Sequence, residues 1–522
     1  MPTPSGFVSA LVPEGRWTHP PPEQFASLAA SSRDVEPGGL FVCLRGARVD
    51  GHDFAPDALQ RGALALVVER PLPLEVPQWV VPDTRVALAR LAALFTGRPT
   101  DRMTMVGITG TNGKSTTAYL TEAVLLAGGY RPGLIGTIEA RIGGQARALP
   151  NTTPDALTLY RLFGEMEAAG QDALVMEVSS IGLEALRVLE IPYDVSVFTN
   201  LTQDHLDYHP GMEAYYLAKE RLFRQHQFEG RRHPPQAVLN ADDPASERLA
   251  VGFRGQVWRY GLRGGDLQGL EPEAREQGMF FRLRDPRGRS WPVQLRLGGG
   301  FNVLNALAAL GVGWSLGIEP EAAIAAIESV ECVPGRFQEI RCGQPFRVVV
   351  DYAHTPDGLK NLLESARHVA TGRVLVVFGC GGDRDRAKRP MMGRIAADLA
   401  DGILLTNDNP RSEQPRAILA DIEAGMAGCA YEVEPDRARA IARAVEQARP
   451  GDIVVIAGKG HENYQIVGKE VFPFDDAEVA REALRGFAPP LPEQGVRGEL
   501  GPPLPELGAR GGRPLLPGTG AA

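Results

Sequence analysis

The sequence predicts an α/β protein of three globular domains. A small α/β domain is expected over 1–102, a central phosphate-loop domain over 103–335 and a doubly wound domain over 336–487, with a tail over 488–522. Three observations carry this. A chain of 522 residues that is 43% hydrophobic has material for several separate cores. An apolar strand pattern runs into a glycine-rich loop and then a helix pattern over 103–120. After Pro334 a fresh alternation of strand and helix patterns begins and runs to Ala457.

In the first domain the strand-like runs Leu40-Phe41-Val42-Cys43-Leu44 and Ala63-Leu64-Ala65-Leu66-Val67-Val68 alternate with helical stretches. The second opens on Gly107-Ile108-Thr109-Gly110-Thr111-Asn112-Gly113-Lys114-Ser115-Thr116. Small residues at 107, 110 and 113 let backbone N–H groups close round phosphate oxygens, Lys114 supplies a point charge and the Ser115 hydroxyl suits Mg²⁺. The helix pattern from Thr116 onward puts its positive end at the anion. This is a grip for a nucleoside triphosphate, although the residue five before Gly113 is Ile108 and the outer glycine, Gly107, stands one place further out. The competing reading is a strand-to-helix turn that binds nothing; Lys-Ser directly after Gly in this context argues against it. Further strands are expected over 173–178 and 195–199, and a hairpin over 278–284 and 290–297 turns at Asp285-Pro286-Arg287-Gly288. The third domain shows strands over 346–351, 374–378, 402–406 and 452–457 with a helix over 391–399, the pattern of a doubly wound sheet with ligand loops at its strand ends. The tail holds two near-copies, at 489–495 and 502–508, in Pro- and Gly-dense surroundings that cannot build a core. Disorder is expected there, with a Pro-rich docking peptide as the alternative.

A net charge of -9 leaves no broad basic footprint, so phosphates must be met by local Lys and Arg, and nucleic acid is not expected as a partner. Five scattered cysteines without a Cys-x-x-Cys pair fit a reducing compartment, hence the cytoplasm. Residues 1–16 lack a basic start before an apolar core, and no apolar run reaches bilayer length, so neither a signal peptide nor a membrane span is expected.

Several clusters carry chemistry. Glu177-Val178-Ser179-Ser180 follows a strand, which presents a carboxylate beside the phosphate loop as a Mg²⁺ ligand; a helix N-cap with a solvated Glu is the other reading. The run 200–209 is dense in ligand types. His205 and His209 stand four apart like a zinc pair, but no third soft ligand has suitable spacing and a triphosphate wants hard oxygen ligands, so one histidine in the cation shell is expected. Lys219, read locally, is a helix lysine that snorkels to solvent. Five clusters follow: 333–337 with Arg336; 351–357 with Asp351 and His354; 381–384 with Arg384; Asp408-Asn409-Pro410-Arg411; and Gly458-Lys459-Gly460-His461-Glu462. Four of them lie at predicted strand ends, which is most simply one ligand-bearing edge.

These motifs resemble the Mur ligases, ATP-dependent enzymes of peptidoglycan precursor synthesis, over roughly 30–485. The likeness is to the branch that extends UDP-N-acetylmuramoyl-L-alanyl-D-glutamate. The D-Ala-D-Ala-adding sibling has a different motif at 351–357, and folylpolyglutamate synthases, which share the phosphate loop, lack the segment before it. The resemblance implies a three-domain architecture whose last domain is Rossmann-like. It assigns Ser32 to uridine binding, and Thr152, Thr153, Ser179 and Arg187 to the muramoyl dipeptide. ATP falls to Gly110, Thr111, Asn112, Gly113, Lys114, Ser115, Thr116, Asn302, Arg336, Asp351 and His354. Lys219 would carry CO₂ as a carbamate and join Ser115, Glu177 and His205 around Mg²⁺, with Lys114, Glu177, His205 and Lys219 as the catalytic group. Two positions depart from the family, Ile181 for a usual His and Ala185 for a usual Gln, while Arg187 is kept.

The implied reaction activates the D-Glu γ-carboxylate as an acyl phosphate, which an amine then captures, as the third domain closes to exclude water. Meso-diaminopimelate is the expected amine. Arg411 pairs with its distal carboxylate and Glu462 with its distal ammonium, with Arg384, Asp408, Asn409, Pro410 and Gly458 around them, and Pro410 holds Asn409 extended so that Arg411 is aimed. Lysine and ornithine are the alternatives. A monomer acting on small molecules is expected; another amide ligase of the Mur or folylpolyglutamate type, a nucleotide-binding switch and a scaffold acting through the tail are the three rivals.

Overall fold

The computed structural model describes residues 3–46, 49–224 and 234–487; the tail expected over 488–522 lies outside the described residues. Three sheets follow one another along the chain. The first has five strands in the order Arg16–Trp17, Gln78–Val80, Ala65–Val68, Leu40–Val42, Leu28–Ala29, parallel except at the first pair. Helix Thr84–Phe95, capped by the Asp83 carboxylate accepting from Arg85 N–H, packs an alanine- and leucine-rich face behind it. Its apolar cluster is continuous with one face of the second sheet, through helix Ala156–Ala168.

The second sheet has eleven strands. Its centre is parallel, in the order Pro132–Ile135, Ala173–Glu177, Thr104–Thr109, Val195–Phe198, Gln236–Asn240 and Gln256–Gly261. Runs such as Ala173-Leu174-Val175-Met176 are apolar without alternation because helices cover both faces. The expected hairpin pairs Gly278–Arg284 with Ser290–Leu295 and extends this sheet beyond Leu267–Arg275. Thr104–Thr109 therefore sits between Ala173–Glu177 and Val195–Phe198, and the loops leaving all three C-terminal ends meet.

The third sheet is ordered Gln338–Glu339, Arg347–Asp351, Ile453–Ala457, Val374–Phe378, Gly402–Leu405, Glu432–Val433, parallel save for its first strand. Two separate apolar clusters line its faces, the doubly wound arrangement the alternation predicts. The phosphate-loop helix begins at Lys114 and the helix expected from 391 begins at Lys388, with Pro390 tolerated in the first turn, where no intrahelical N–H bond is lost. An antiparallel hairpin, Tyr464–Val467 with Glu470–Pro473, and helix Asp476–Ala483 follow the last parallel strand. No helix among the described residues is long and apolar enough to cross a membrane.

Candidate active site

The phosphate loop is braced from both sides. Asn112 N–H donates to Asn200 Oδ1 at 2.8 Å, Thr111 N–H to Asn200 O at 2.8 Å, and Thr199 Oγ1 to Asn112 O at 2.6 Å. Gly110 and Gly113 have φ of +149° and +87°, and a Cβ at either would strike Thr199 Oγ1 or Asn305 Oδ1. Gly107 is a correction. It lies mid-strand, paired with Met176 and Ser196, and a Cβ there would stand 2.7 Å from the Tyr193 ring, so its smallness serves packing and not the anion. Lys114 Nζ donates to the carbonyls of Gly110 and Thr111 at 3.0 and 2.8 Å; burial lowers its pKa, against the carboxylates of Glu177 and Asp204. Thr116 is buried in the first turn that follows.

Glu177 ends its strand almost wholly buried. Its carboxylate accepts from Thr137 N–H at 2.8 Å and Thr137 Oγ1 at 3.0 Å, and Thr137 Oγ1 also meets Thr152 Oγ1 at 3.0 Å. Ser179 does cap the helix Ser180–Glu184, through Gly182 N–H, but the glutamate before it is not solvated. Thr153 Oγ1 donates to Glu177 O and accepts from Ser179 N–H, both at 3.0 Å, while Arg187 Nη1 donates to Thr153 O at 2.7 Å. One knot thus joins four of the residues assigned to the dipeptide to the carboxylate assigned to the cation. Ser32, assigned to uridine, is buried at the start of a turn in the first unit.

The snorkelling expected of Lys219 does not occur. Helix Met212–Arg224 turns it inward to 2% exposure, where Nζ donates to Gly110 O at 2.8 Å and lies 4.4 Å from the Tyr215 ring centroid. Burial, reinforced by the Lys114 ammonium, pushes its pKa well below that of an ordinary lysine. The two histidines separate. His209 Nε2 meets Ser180 Oγ at 2.9 Å, whereas His205, at φ +55°, stands 3.4 Å from Asp204 Oδ2 with its pKa lowered by burial and by Lys219 and Lys114. Among the described residues no three His, Cys, Asp or Glu side chains gather closely enough to hold a metal. The donors that face the loop, the Ser115 hydroxyl and the Glu177 carboxylate, are hard oxygens of the kind Mg²⁺ takes.

The third unit reaches over this loop. Arg336 Nη2 donates to Ser115 Oγ at 2.9 Å, with its guanidinium 4.4 Å from the Tyr352 ring centroid. Asp357 Oδ2 accepts from Asn112 Nδ2 at 2.9 Å and Thr202 Oγ1 at 3.3 Å, and His354 Nε2 stands 4.0 Å from Asp204 Oδ2. Two residues assigned to ATP turn inward instead. Asp351 accepts from Phe337 and Ala353 N–H at 2.6 and 2.8 Å, shaping the turns that carry Arg336 and His354. The Asn302 amide is enclosed between Gly298 O and Asn305 Nδ2.

The clusters at 381–384, 408–411 and 458–462 do converge. Arg411 Nη1 donates to Gly382 O at 2.8 Å, Asn409 Nδ2 to Glu462 Oε2 at 2.9 Å, and a Cβ on Gly458 would stand 2.8 Å from Asp408 Oδ2. Arg384 donates to Asp383 O at 3.1 Å. Arg411 is aimed less by Pro410 than by the hairpin that follows Glu462. Its N–H donates to Ile466 O and its carbonyl accepts from Gly468, at φ +50°, while Gln465 Nε2 holds Asp408 O at 2.8 Å. The sequence reading also missed the braces beneath. Arg437, fully buried against Asp476, donates to Ala457 O at 3.0 Å and Asn407 O at 3.4 Å, so it ties two ligand loops together. Arg389 joins Gly381 O to Glu413 and Asp421. Both lie in amphipathic helix patterns where a lone arginine carries no signal.

One brace has a measurable pH signature. Arg389 hydrogen bonding holds the Glu413 carboxyl down at about 2 from an ordinary 4.5. A depressed carboxylate contributes stability that is fully present above the higher value and is lost as pH falls through the lower. The melting temperature should therefore drop between pH 4.5 and about 2, and Glu413→Gln should flatten that drop while lowering the plateau above pH 5. An unchanged acid limb in the variant would remove the assignment.

The chain matches three family models in succession: "Mur ligase family, catalytic domain" over 24–96, "Mur ligase middle domain" over 108–313, and "Mur ligase, glutamate ligase domain" over 335–460. It is 47% identical over 477 residues to a UDP-N-acetylmuramoyl-L-alanyl-D-glutamate--2,6-diaminopimelate ligase of Geobacillus thermodenitrificans, covering 90% of this chain and 97% of the relative. With the enzyme of the same name from Bacillus cereus it shares 47% over 466 residues, 89% of this chain and 94% of the relative. A solved structure of an enzyme of that name superposes with a TM-score of 0.64 at 34% identity, covering 89% of this chain and 95% of that one. A MurF ligase from Thermotoga maritima in complex with ADP, at 22% identity and a TM-score of 0.61 over 88% of this chain and 97% of that one, shares the fold. With the family's domains matched in order and relatives this similar along nine-tenths of its length, the chain belongs to the Mur ligases.

Proposed function

We propose that the chain is an ATP-dependent, ADP-forming ligase that joins meso-diaminopimelate to the D-Glu γ-carboxylate of UDP-N-acetylmuramoyl-L-alanyl-D-glutamate. The observation that carries this is the pairing of two half-sites. A braced phosphate loop with Lys114, Glu177 and buried Lys219 is met through Arg336 and Asp357 by a third unit whose strand ends present Arg411 and Glu462. The relatives at 47% identity act, by name, on the same dipeptide and amine.

An unactivated carboxylate does not form an amide, so ATP must first convert it to an acyl phosphate. Lys114 and the loop N–H groups hold the phosphates, and Arg336, now on Ser115, moves onto them as the nucleotide enters. Thr152, Thr153, Ser179 and Arg187 hold the dipeptide's acidic end next to Glu177, and Ser32 lies on the uridine side. Ser115, Glu177, His205 and Lys219 would hold Mg²⁺, which when bound neutralises charge on the transferring phosphoryl group. The amine of Lys219 becomes the anion this needs by adding to CO₂ with loss of a proton, which requires the neutral form that burial favours. Asn302, Asp351 and His354 shape the adenosine side, with His354 nearest the phosphate loop through Asp204. Arg411, Arg384 and Glu462 take the far end of the amine on the 408–411 and Gly458 loops. Residues 1–102, 103–335 and 336–487 then serve the UDP-sugar, ATP and the amine in turn. A cytoplasmic monomer acting on small molecules belongs to the same proposal.

The test is ADP release from ATP and the UDP-muramoyl dipeptide with meso-diaminopimelate, L-ornithine or L-lysine supplied separately. Release should need both the dipeptide and an amine and should favour diaminopimelate by about 100-fold or more, since an amine without a distal carboxylate forgoes the charge-assisted pair with the half-buried Arg411. Equal use of the three amines, or release with none of them, would overturn it.

A further inference from the structure

Lys459 has no solvent contact, although its neighbours at 458 and 462 belong to the proposed amine pocket. Its Nζ donates to Asn409 Oδ1 at 3.1 Å and to Glu462 Oε2 at 3.2 Å, and sits 5.4 Å from the Tyr464 ring centroid. Asn409 Nδ2 takes the same Glu462 oxygen at 2.9 Å. The carboxylate that is to receive the ligand's distal ammonium is thus already paired with an ammonium of the chain, and both internal donors fall on Oε2. We infer that Lys459 sets the choice between amines with a zwitterionic far end and amines with a purely cationic one, a reading that rests on the pocket taking the incoming amine.

Net charge is what separates the two kinds of amine. Around the pocket stand the carboxylates of Asp408 and Glu462, the guanidiniums of Arg411 and Arg384, and Lys459; Arg437 is cancelled by Asp476 beneath them. Asp408 and burial raise the Glu462 pKa, and Lys459 opposes them. A far end bearing both a carboxylate and an ammonium has no net charge, so one nearby cation repels one group about as much as it attracts the other. The far end of lysine or ornithine carries a full positive charge and meets only the repulsion, in a buried site where screening by water and salt is weak. Lys459 therefore acts as a competitor for Glu462 that the zwitterion tolerates and the cation does not. Arg411 selects for the carboxylate; Lys459 selects against its absence.

The experiment uses the full-length chain with ATP and UDP-muramoyl dipeptide, comparing kcat/KM for meso-diaminopimelate and L-lysine in Lys459→Met and Lys459→Gln. Both variants should lower the ratio of the two values by about tenfold or more, chiefly through a lower KM for L-lysine. Calorimetric binding of each amine to the ADP- and phosphate-loaded variant reads the same ratio if turnover is lost. A ratio that stays put while both substrates lose equally would mean that Lys459 only props the loop, and would overturn the inference. So would a shift in Lys459→Met that Lys459→Gln, which keeps a donor for Asn409, does not share. Wild-type protein that uses neither amine would instead strike the proposed reaction itself.

Discussion

Lys219→Ala is expected to lower substrate-dependent ADP release by about 1,000-fold or more, with ATP still bound, because the proposed carbamate beside the transferring phosphoryl group would be lost along with the cation it would hold. An ordinary lysine on an amphipathic helix would lose little. This one is 2% exposed, its hydrogen-bond acceptor among the described residues is the Gly110 carbonyl of the phosphate loop, and the Lys114 ammonium disfavours a second positive charge beside it. A neutral amine there keeps a lone pair for CO₂. Wild-type turnover should accordingly rise when bicarbonate is added to CO₂-depleted buffer. Lys219→Arg, permanently charged and unable to form a carbamate, should be as inactive as the alanine variant. Formate or acetate should restore part of the activity to Lys219→Ala by entering the space the side chain vacates. A variant that turns over within tenfold of wild type, with no response to bicarbonate, would leave Lys219 a packing residue.

Arg411→Ala carries the second large effect. The guanidinium is held at the proposed amine site by Gly382 O, by left-handed backbone at 411 and by the 464–468 hairpin, so it is positioned before any ligand arrives. A bidentate pair with a distal carboxylate is what such a fixed fork provides. Its removal should cost about 100-fold in kcat/KM for diaminopimelate and much less for L-lysine, which has no group to place there. The loss should appear in KM, because the proposed role of Arg411 is to grip the far end of the amine and not the reacting carbonyl. Equal losses for both amines would show that Arg411 supports the loop or binds the α-carboxylate.

What could be read from the sequence divides along a physical line. Features fixed by local pattern were legible: the strand-loop-helix at 104–127, the 278–295 hairpin and the alternation after Pro334 each need only neighbouring residues to be recognised. Features set by what lies across the fold were not. Gly107 reads as part of the phosphate grip, and only the Tyr193 ring shows that it is there for packing. Lys219 reads as a solvated helix lysine because helix periodicity does not say which face meets the phosphate loop. Thr137, which cradles Glu177, and Arg437, which ties 407 to 457, come from segments with no motif at all. The role proposed for Lys219 comes from the resemblance and not from pattern, while the burial that favours a neutral amine there comes from the fold.

The proposed reaction turns on ATP activating a carboxyl group for capture by an amine delivered from the last unit. Its most direct test is to supply UDP-muramoyl-L-alanyl-D-glutamate labelled with ¹⁸O in the γ-carboxylate, together with ATP, Mg²⁺ and diaminopimelate, and to weigh the released phosphate. An acyl phosphate route transfers one labelled oxygen to each phosphate for every amide formed. Amide formation with unlabelled phosphate would contradict the account.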